Sequence, residues 1–243
     1  MTVAAPIETF EEIDSTNSEA RRRAEGGAQG PLWITARRQT AGRGRRGRAW
    51  STQEGNLAAS FLFTSERPPL EASQVSFVAA LALADFARTY VDPTLVAIKW
   101  PNDLLLAGRK AAGILVESGP SATSALWVVV GFGFNLASAP KGLTPPATAL
   151  SAHMASPPPG PAEALRALAP AFEAWRRVWE ERGFASIAEA WTQRAKGMGE
   201  PCLARLSAGD IEGVAEGLES DGALRLRLPG GETRRITAGD VFF

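Results

Sequence analysis

Histidine and cysteine are nearly absent from this sequence. Among 243 residues there is one cysteine, Cys202, and one histidine, His153. A disulfide within the chain is excluded, because it needs two thiols. The same scarcity disfavours a zinc site made of cysteine and histidine ligands and disfavours a Ser-His-Asp triad. We therefore expect no metal site built from protein side chains and no nucleophile activated by histidine.

Long apolar runs and export signals are missing as well. No run approaches about 18 consecutive apolar residues, the length that crosses a bilayer as a helix. The first residues also lack the charged region followed by an apolar core that marks a secretory signal. We therefore expect a cytoplasmic protein with no membrane partner.

The chain also lacks an excess of charge of either sign. Lysine plus arginine number 26, and aspartate plus glutamate also number 26, so the formal net charge is zero. The protein as a whole thus has no general attraction for nucleic acid. Only four of the 26 basic residues are lysines. A single arginine is consequently a weak indicator of function here, whereas a lysine within a motif is a stronger one.

The apolar periodicity predicts alternating strands and helices. A chain of this length with 45% hydrophobic residues suits one large domain, or one large and one small domain. Period-two runs predict strands over 7–13, 32–36, 57–64, 96–100, 104–106, 112–117 and 126–133. Helical spacing and a capping box predict helices that begin at Thr16 and that cover 70–90, 163–182 and 186–196.

The C-terminal part of the chain has a different rhythm. From Pro201 onward, short strand-like pieces alternate with turns rich in glycine, aspartate and serine, which is typical of a small β-barrel. The glycines at 197 and 199 mark a boundary before it. We predict two domains, 1–196 and 197–243, with the proline-rich 140–161 segment as a surface excursion of the first.

The most informative segment is GRGRRGRAW, residues 42–50, which we call the arginine loop. It has almost no apolar side chains with which to bury itself, whereas its arginines offer forked donors to phosphate or carboxylate oxygens. It satisfies G-x-G-x-x-G, but it leads into a strand instead of opening a helix, so a dinucleotide-binding fingerprint is disfavoured. The alternative is a solvated basic loop without a ligand.

Two other segments place polar groups at the ends of predicted strands. In KWPND, Pro101 ends a strand and leaves Lys99 at its tip as a point charge for an anion; the alternative is an exposed lysine beside a turn. In GFGFN, Asn135 follows two glycines and could contact a ribose or phosphate, although such an asparagine is more often part of a turn.

Taken in order, these segments resemble the catalytic domain of biotin protein ligases. The resemblance rests on DSTN at 14–17, QTA at 39–41, the arginine loop, KWPNDL at 99–104, Lys110 with GILVE at 113–117, and GFGFN at 131–135. It implies an α+β fold in which helices flank a mixed β-sheet of the class II aminoacyl-tRNA-synthetase type, with a C-terminal SH3-like β-barrel. Because DSTN begins at residue 14, we expect the ligase-only class, without a DNA-binding domain and without a DNA partner.

The resemblance also implies a reaction in two steps. Biotin and ATP give biotinyl-5′-AMP and pyrophosphate, and a lysine of a biotin carboxyl carrier domain then attacks the mixed anhydride. Lys99, Arg45 and Arg48 are implied as the catalytic cations, since a carboxylate and a triphosphate repel each other. ATP contacts are implied for Arg45, Arg48, Trp50, Lys99 and Asn135, with Mg²⁺ held mainly by the phosphates and water.

Biotin contacts are implied for a second set of residues. The ureido ring is neutral and donates two hydrogen bonds, so it needs hydroxyls and amides in preference to charges. The implied biotin-binding residues are Ser15, Thr16, Asn17, Gln39, Arg43, Gly44, Arg45, Lys99 and Gly113. Phe132 and Phe134 stand where the family usually has smaller aliphatics, and we expect altered packing behind the nucleotide.

Two rival functions and one assembly question stay open at this point. A lipoate or octanoate ligase or transferase would share the architecture, although the arginine loop would be unexpected there. A non-enzymatic nucleic-acid-binding module would use the arginine loop and the C-terminal strands as its contact surface. A homodimer is possible for the family, but the sequence marks no interface.

Overall fold

The computed structural model describes residues 4–121 and 124–243, which form two β-sheets and five α-helices. The larger sheet has seven strands in the order β1-β2-β3-β7-β6-β5-β4. Its strands are β1 Ile7–Ile13, β2 Leu32–Gln39, β3 Leu57–Ser65, β4 Val96–Lys99, β5 Asp103–Leu106, β6 Arg109–Pro120 and β7 Leu126–Phe134. Strands β1 and β2 are parallel and every other pair is antiparallel, so the sheet is mixed as predicted.

Helices cover both faces of this sheet. Helix α1 follows β1 and packs on β2, β3 and β7, whereas α3 and α4 pack on the opposite face. The helices are α1 Thr16–Glu25, α2 Pro69–Ala72, α3 Val75–Arg88, α4 Pro161–Arg182 and α5 Phe184–Thr192. By length and composition the stretch Pro69–Arg88 would pass for a membrane span, but most of it is buried inside the protein. This stretch comprises α2 and α3, and most of α3 lies in the core.

Two predicted helices differ from the observed ones. The predicted helix over 70–90 is two helices, which are separated by a turn at residues 73 and 74. The side chain of Gln74 donates to the Ser220 carbonyl oxygen and accepts from the Trp179 indole N–H, and these contacts hold the turn. The predicted helix over 186–196 ends at Thr192. Beyond that residue the chain runs alongside β4 and exchanges backbone hydrogen bonds with Ile98, which cover the edge strand of the sheet.

The alternation along β7 decides what each face of the sheet carries. Phe132 and Phe134 point into the core, where Phe132 lies 5.5 Å from Trp33 and 5.4 Å from Phe172 between ring centroids. Gly131 and Gly133 therefore point to the opposite face, the one that α1 covers. The two phenylalanines fill the helix-covered core, and the two glycines leave the other face open to close approach.

The second sheet has five antiparallel strands in the order β11-β10-β9-β8-β12. Its strands are β8 Pro201–Leu206, β9 Gly209–Leu218, β10 Leu224–Arg227, β11 Thr233–Ile236 and β12 Asp240–Phe242. This arrangement is consistent with an SH3-like domain. Its apolar side chains belong to the same buried cluster as those of the larger sheet, and the Trp100 indole donates to the Gly222 carbonyl oxygen at 3.2 Å. The second sheet is thereby fixed close to the end of β4.

Candidate functional site

The amino-terminal end of α1 carries a buried set of hydroxyls and amides. Ser15 caps the helix, and the Gln39 Oε1 accepts from the Thr16 amide at 2.8 Å and from its hydroxyl at 3.2 Å. The Ser60 hydroxyl lies 2.8 Å from Thr16 Oγ1 and donates to Asn17 Oδ1 at 2.6 Å. The structure thus brings together Ser15, Thr16, Asn17 and Gln39, as predicted. Ser60 was missed, and its only sequence signal is a serine between apolar residues of β3.

Asn17 links this polar set to β6. Its Nδ2 donates to the Leu115 carbonyl oxygen at 3.2 Å and to Glu117 Oε2 at 2.8 Å. A Cβ atom on Gly131 would overlap the Asn17 amide, so this glycine is required for the close packing of α1 on the sheet. The Asn17 side chain is therefore held from three sides.

Trp50 lies on the glycine-lined part of the same face. A Cβ on Gly133 would overlap its indole, and a Cβ on Gly113 would lie 3.3 Å from it. Lys110 Nζ is 5.7 Å from the ring centroid, a cation–π contact. Gly113 thus allows close approach of Trp50 to β6, and its predicted contact with biotin stays a prediction. Contact of Trp50 with adenine stays a prediction.

The arginine loop is a closed turn. Its ends are joined by the hydrogen bond from Trp50 N to the Gly42 oxygen at 2.9 Å, and its middle by the bond from Gly44 N to the Arg48 oxygen at 2.7 Å. Arg46 has φ +56°, a left-handed conformation that is uncommon outside glycine. Such a conformation persists where contacts on both sides hold it.

The arginines of this loop point in different directions. Arg43 Nη2 donates to Ser18 Oγ at 3.1 Å and to Glu117 Oε1 at 3.4 Å, toward α1 and β6. Arg45 Nη1 donates to Asn102 Oδ1 at 3.2 Å, and burial lowers the pKa of its guanidinium. Asn102 belongs to KWPND. The loop and the KWPND segment therefore meet, as the sequence predicted.

The other two arginines reach the second sheet. Arg48 Nη2 lies 3.1 Å from Asp240 Oδ1, and Arg46 Nη1 lies 3.8 Å from Asp240 Oδ2. Burial alone would raise the pKa of Asp240, but the hydrogen bond and charge of Arg48, with the charges of Arg46 and Arg45, leave that pKa below its ordinary value. Sequence reasoning missed Asp240, and no local signal marks it.

Lys99 lies at the end of β4, beside the last strand. Its Nζ is 5.2 Å from the centroid of the Phe242 ring. Burial lowers the pKa of this ammonium, while the charges of Asp103 and Asp240 oppose that shift. Lys110 Nζ forms an ion pair with Asp103 at 2.6 Å. Lys99 is thus a desolvated cation among other charged groups, as a site for an anion requires.

The charges at this end of the sheet are mostly positive. Two carboxylates, Asp103 and Asp240, face a larger set of cations: Arg45, Arg46, Arg48, Lys99 and Lys110. Such an excess attracts an anion that bridges several cations. The neutral polar set around Thr16 is connected to the arginine loop through Arg43, which donates to Ser18 on the same helix. A molecule with a neutral polar ring at one end and an anionic group at the other matches this division.

Asn135 is placed differently from the other predicted residues. The residue is 2% exposed, and its Nδ2 donates to the Thr148 carbonyl oxygen at 3.1 Å, which fixes the segment after β7. Its contact with ATP stays a prediction. No group of three or more histidine, cysteine, aspartate or glutamate side chains that could hold a metal ion occurs within residues 4–121 and 124–243.

Known proteins resemble both parts of the chain. Residues 9–135 match the model of the "Biotin/lipoate A/B protein ligase family", and residues 197–243 match "Biotin protein ligase C terminal domain". The chain is 45% identical to the biotin–[acetyl-CoA-carboxylase] ligase of Paracoccus denitrificans over 95% of this chain and 97% of that protein. It is 31% identical to the bifunctional ligase/repressor BirA of Escherichia coli over 90% of this chain and 68% of that protein.

Solved structures give the same result. The biotin protein ligase of Aquifex aeolicus in complex with biotin and ATP superposes with a TM-score of 0.80 and 26% identity, covering 98% of this chain and 97% of that one. A biotin protein ligase of Leishmania major in complex with biotinyl-5-AMP has a TM-score of 0.63, covering 96% of this chain and 99% of that one, and at 23% identity it shows the shared fold alone.

Proposed function

The chain belongs to the biotin/lipoate A/B protein ligase family, and we propose that it activates biotin with ATP and transfers the biotinyl group to a carrier lysine. In the first step a carboxylate oxygen of biotin attacks the α-phosphorus of ATP, and pyrophosphate leaves. In the second step the lysine amine attacks the acyl carbon, AMP leaves, and the amine loses a proton. The observation that carries this proposal is the contact of Arg45 with Asn102 at 3.2 Å, which joins the arginine loop to KWPND.

The cations around β4 suit the first step. Lys99 lies beside Phe242 of the second sheet and is acted on by the charges of Asp103 and Asp240. We assign it to the junction between the biotin carboxylate and the α-phosphate. Arg45 and Arg48 neutralise phosphate oxygens, and Arg43 and the Gly44 backbone close over biotin. These charges lower the barrier because they are already in place where negative charge accumulates on the phosphorus.

The polar set around α1 suits the neutral end of biotin. Thr16 is hydrogen-bonded to Gln39, and the Ser60 hydroxyl connects Thr16 to the amide of Asn17. Ser15 lies at the same helix end. A ureido ring that enters this set exchanges hydrogen bonds with groups that are already oriented. Loss of one such partner leaves a buried polar group unsatisfied, at a cost of about 1–3 kcal/mol.

Mg²⁺ accompanies ATP in this proposal. The described part of the chain offers only two carboxylates at the cationic end of the sheet, Asp103 and Asp240, and both already pair with cations. Phosphate oxygens and water would therefore supply most of the ligands, and the ion would neutralise charge on the triphosphate. Trp50 is assigned to the adenine of ATP by stacking.

ATP–pyrophosphate exchange tests the proposed function. The native protein is expected to exchange label into ATP only when biotin is present, and Lys99→Ala is expected to reduce the rate by at least about 100-fold. Lipoate and octanoate in place of biotin test the rival acyl substrates. Exchange with lipoate and not with biotin, or no exchange with either, would overturn the proposal.

The partner of the second step is a biotin carboxyl carrier domain. We expect labelling of one lysine of such a domain by a cytoplasmic enzyme. Strong, salt-dependent binding to DNA without biotin-dependent exchange would favour the nucleic-acid-binding alternative.

Sedimentation of the protein with and without biotin and ATP decides whether a homodimer forms.

A further inference from the structure

We propose that Glu117 is a positioning residue that couples the biotin pocket to the arginine loop, so that one carboxylate holds a pocket amide and a loop guanidinium together. This inference rests on the proposed function. By sequence, Glu117 is merely the last residue of an apolar strand segment, GILVE. In the structure it lies where α1, β6 and the loop meet.

The two carboxylate oxygens of Glu117 have separate partners. Oε2 accepts a hydrogen bond from Asn17 Nδ2 at 2.8 Å, and Oε1 accepts one from Arg43 Nη2 at 3.4 Å. Asn17 Oδ1 in turn accepts from Ser60 Oγ at 2.6 Å. The orientation of the Asn17 amide is thereby determined, because a flipped amide would place its oxygen against the carboxylate.

The ion pair between Glu117 and Arg43 is partly shielded from solvent. The side chain of Glu117 is 23% exposed and that of Arg43 is 38% exposed, so solvent screens the pair only in part. Arg43 has its other hydrogen bond to Ser18 Oγ, a neutral partner on α1. Glu117 is therefore the carboxylate that holds the first arginine of the loop against the helix end, as far as the described contacts go.

Glu117 is expected to affect the binding of biotin and not the binding of ATP. Glu117 acts through Asn17 and Arg43, both on the biotin side of the site. Arg48 and Lys99, on the phosphate side, have different neighbours, Asp240 and Asp103. Loss of the Glu117 carboxylate is thus expected to weaken biotin binding and to leave ATP binding nearly unchanged.

Glu117→Gln tests the coupling with little change in shape. Glutamine offers one oxygen and one NH₂ group, so one of the two donors, Asn17 or Arg43, must face another donor. We expect the dissociation constant for biotin, measured by calorimetry, to rise about 10-fold, the effect of one lost charge-assisted hydrogen bond. The KM for ATP at saturating biotin is expected to change by less than about two-fold.

A double-mutant cycle with Arg43→Gln separates coupling from a general structural effect. If the two residues act as one unit, the double variant has a dissociation constant for biotin no higher than that of whichever single variant binds biotin less tightly. Glu117→Asp keeps the charge and is expected to bind biotin more tightly than Glu117→Gln. This comparison tests the role of the charge even if Glu117→Gln lowers the Tm. Glu216→Gln is the matched control, because it removes a carboxylate that pairs with Arg227 at 2.6 Å within the second sheet.

Three results would overturn the inference. They are native biotin affinity in Glu117→Gln, additive losses in the cycle, and equal weakening of biotin and ATP. These differ from failure of the proposed function, in which the native protein itself shows no biotin-dependent pyrophosphate exchange. An active native protein with an unaffected Glu117→Gln variant removes only the coupling.

Discussion

Arg48 donates a hydrogen bond to Asp240 at 3.1 Å, which ties the arginine loop to the last strand of the chain. The two residues are 192 positions apart. Arg46, held in a left-handed conformation, lies 3.8 Å from the same carboxylate. The carboxylate of Asp240 thus faces Arg48, which we assign to phosphate oxygens, and through this contact the C-terminal sheet reaches the candidate site.

Asp240→Asn is expected to loosen the arginine loop in the protein without ligands. The variant loses two partly exposed ion pairs, each worth at most about 1 kcal/mol, which corresponds to about five-fold faster amide exchange per pair at 42–50. Hydrogen exchange followed by mass spectrometry measures this. Equal exchange rates in the native protein and the variant would show that Asp240 does not hold the loop.

Lys99 is expected to set the alkaline limb of the pH profile for biotin activation. Because burial lowers the pKa of its ammonium, the limb should fall at a lower pH than an exposed lysine would give. The charge of Asp103 raises that pKa, so Asp103→Asn should move the limb to still lower pH. The measurement is kcat/KM for pyrophosphate exchange against pH; a limb that stays in place or moves upward contradicts the assignment.

Gly133→Ala is expected to displace Trp50 from the sheet. The added methyl group would overlap the indole, and the loop that Trp50 closes must move. We expect at least about 10-fold weaker ATP binding, with the fold retained, since removal of one stacking contact costs about 1–3 kcal/mol. Gly160→Ala is the matched control, because nothing lies within 4 Å of a Cβ there. Similar ATP affinities for the two variants would refute the stacking role.

Asp14 is expected to contribute to stability at neutral pH and not in strong acid. Hydrogen bonds from the Arg22 guanidinium lower the pKa of Asp14 to about 2. A lowered pKa means that the contribution is complete above the unfolded value, about 3.9, and is lost as the pH falls toward 2. The pair is largely exposed, so we expect at most about 1 kcal/mol.

Denaturant unfolding of Asp14→Asn at two pH values checks this sign. The variant should be less stable than the native protein at pH 7, and the difference should shrink at a pH near 2. A constant difference across this range would mean that the lost stability does not come from the ionised carboxylate of Asp14.

Sequence patterns anticipated most of the regular structure, and tertiary contacts set its limits. The strand predicted over 112–117 is longer, Arg109–Pro120, because β6 has partners on both sides and pairs along its whole length. The helix predicted over 70–90 is interrupted at Gln74 by contacts with a distant turn and with α4. Periodicity reports which face is apolar, but not where a distant neighbour ends an element.

The sequence by itself determined the chemistry of the site. A loop of arginines and glycines, a lysine before Pro101 and a run of hydroxyl and amide side chains at 15–17 are local features, because composition within a few residues decides what they can bind. The sequence also determined the alternation of side chains along β7. Phe132 and Phe134 therefore share one face of the strand, and Gly131 and Gly133 share the other.

Only the tertiary structure decided which side chains complete that site. No local pattern assigns a role to Asp240, to Ser60 within its strand or to Glu117 at the end of GILVE. Each reaches the site through a contact between residues at least 43 positions apart. Which face of β7 meets Trp50, and which carboxylate meets Arg48, depends on how two sheets pack around one core. Packing of this kind is a property of the whole chain, because distant surfaces must fill the same space.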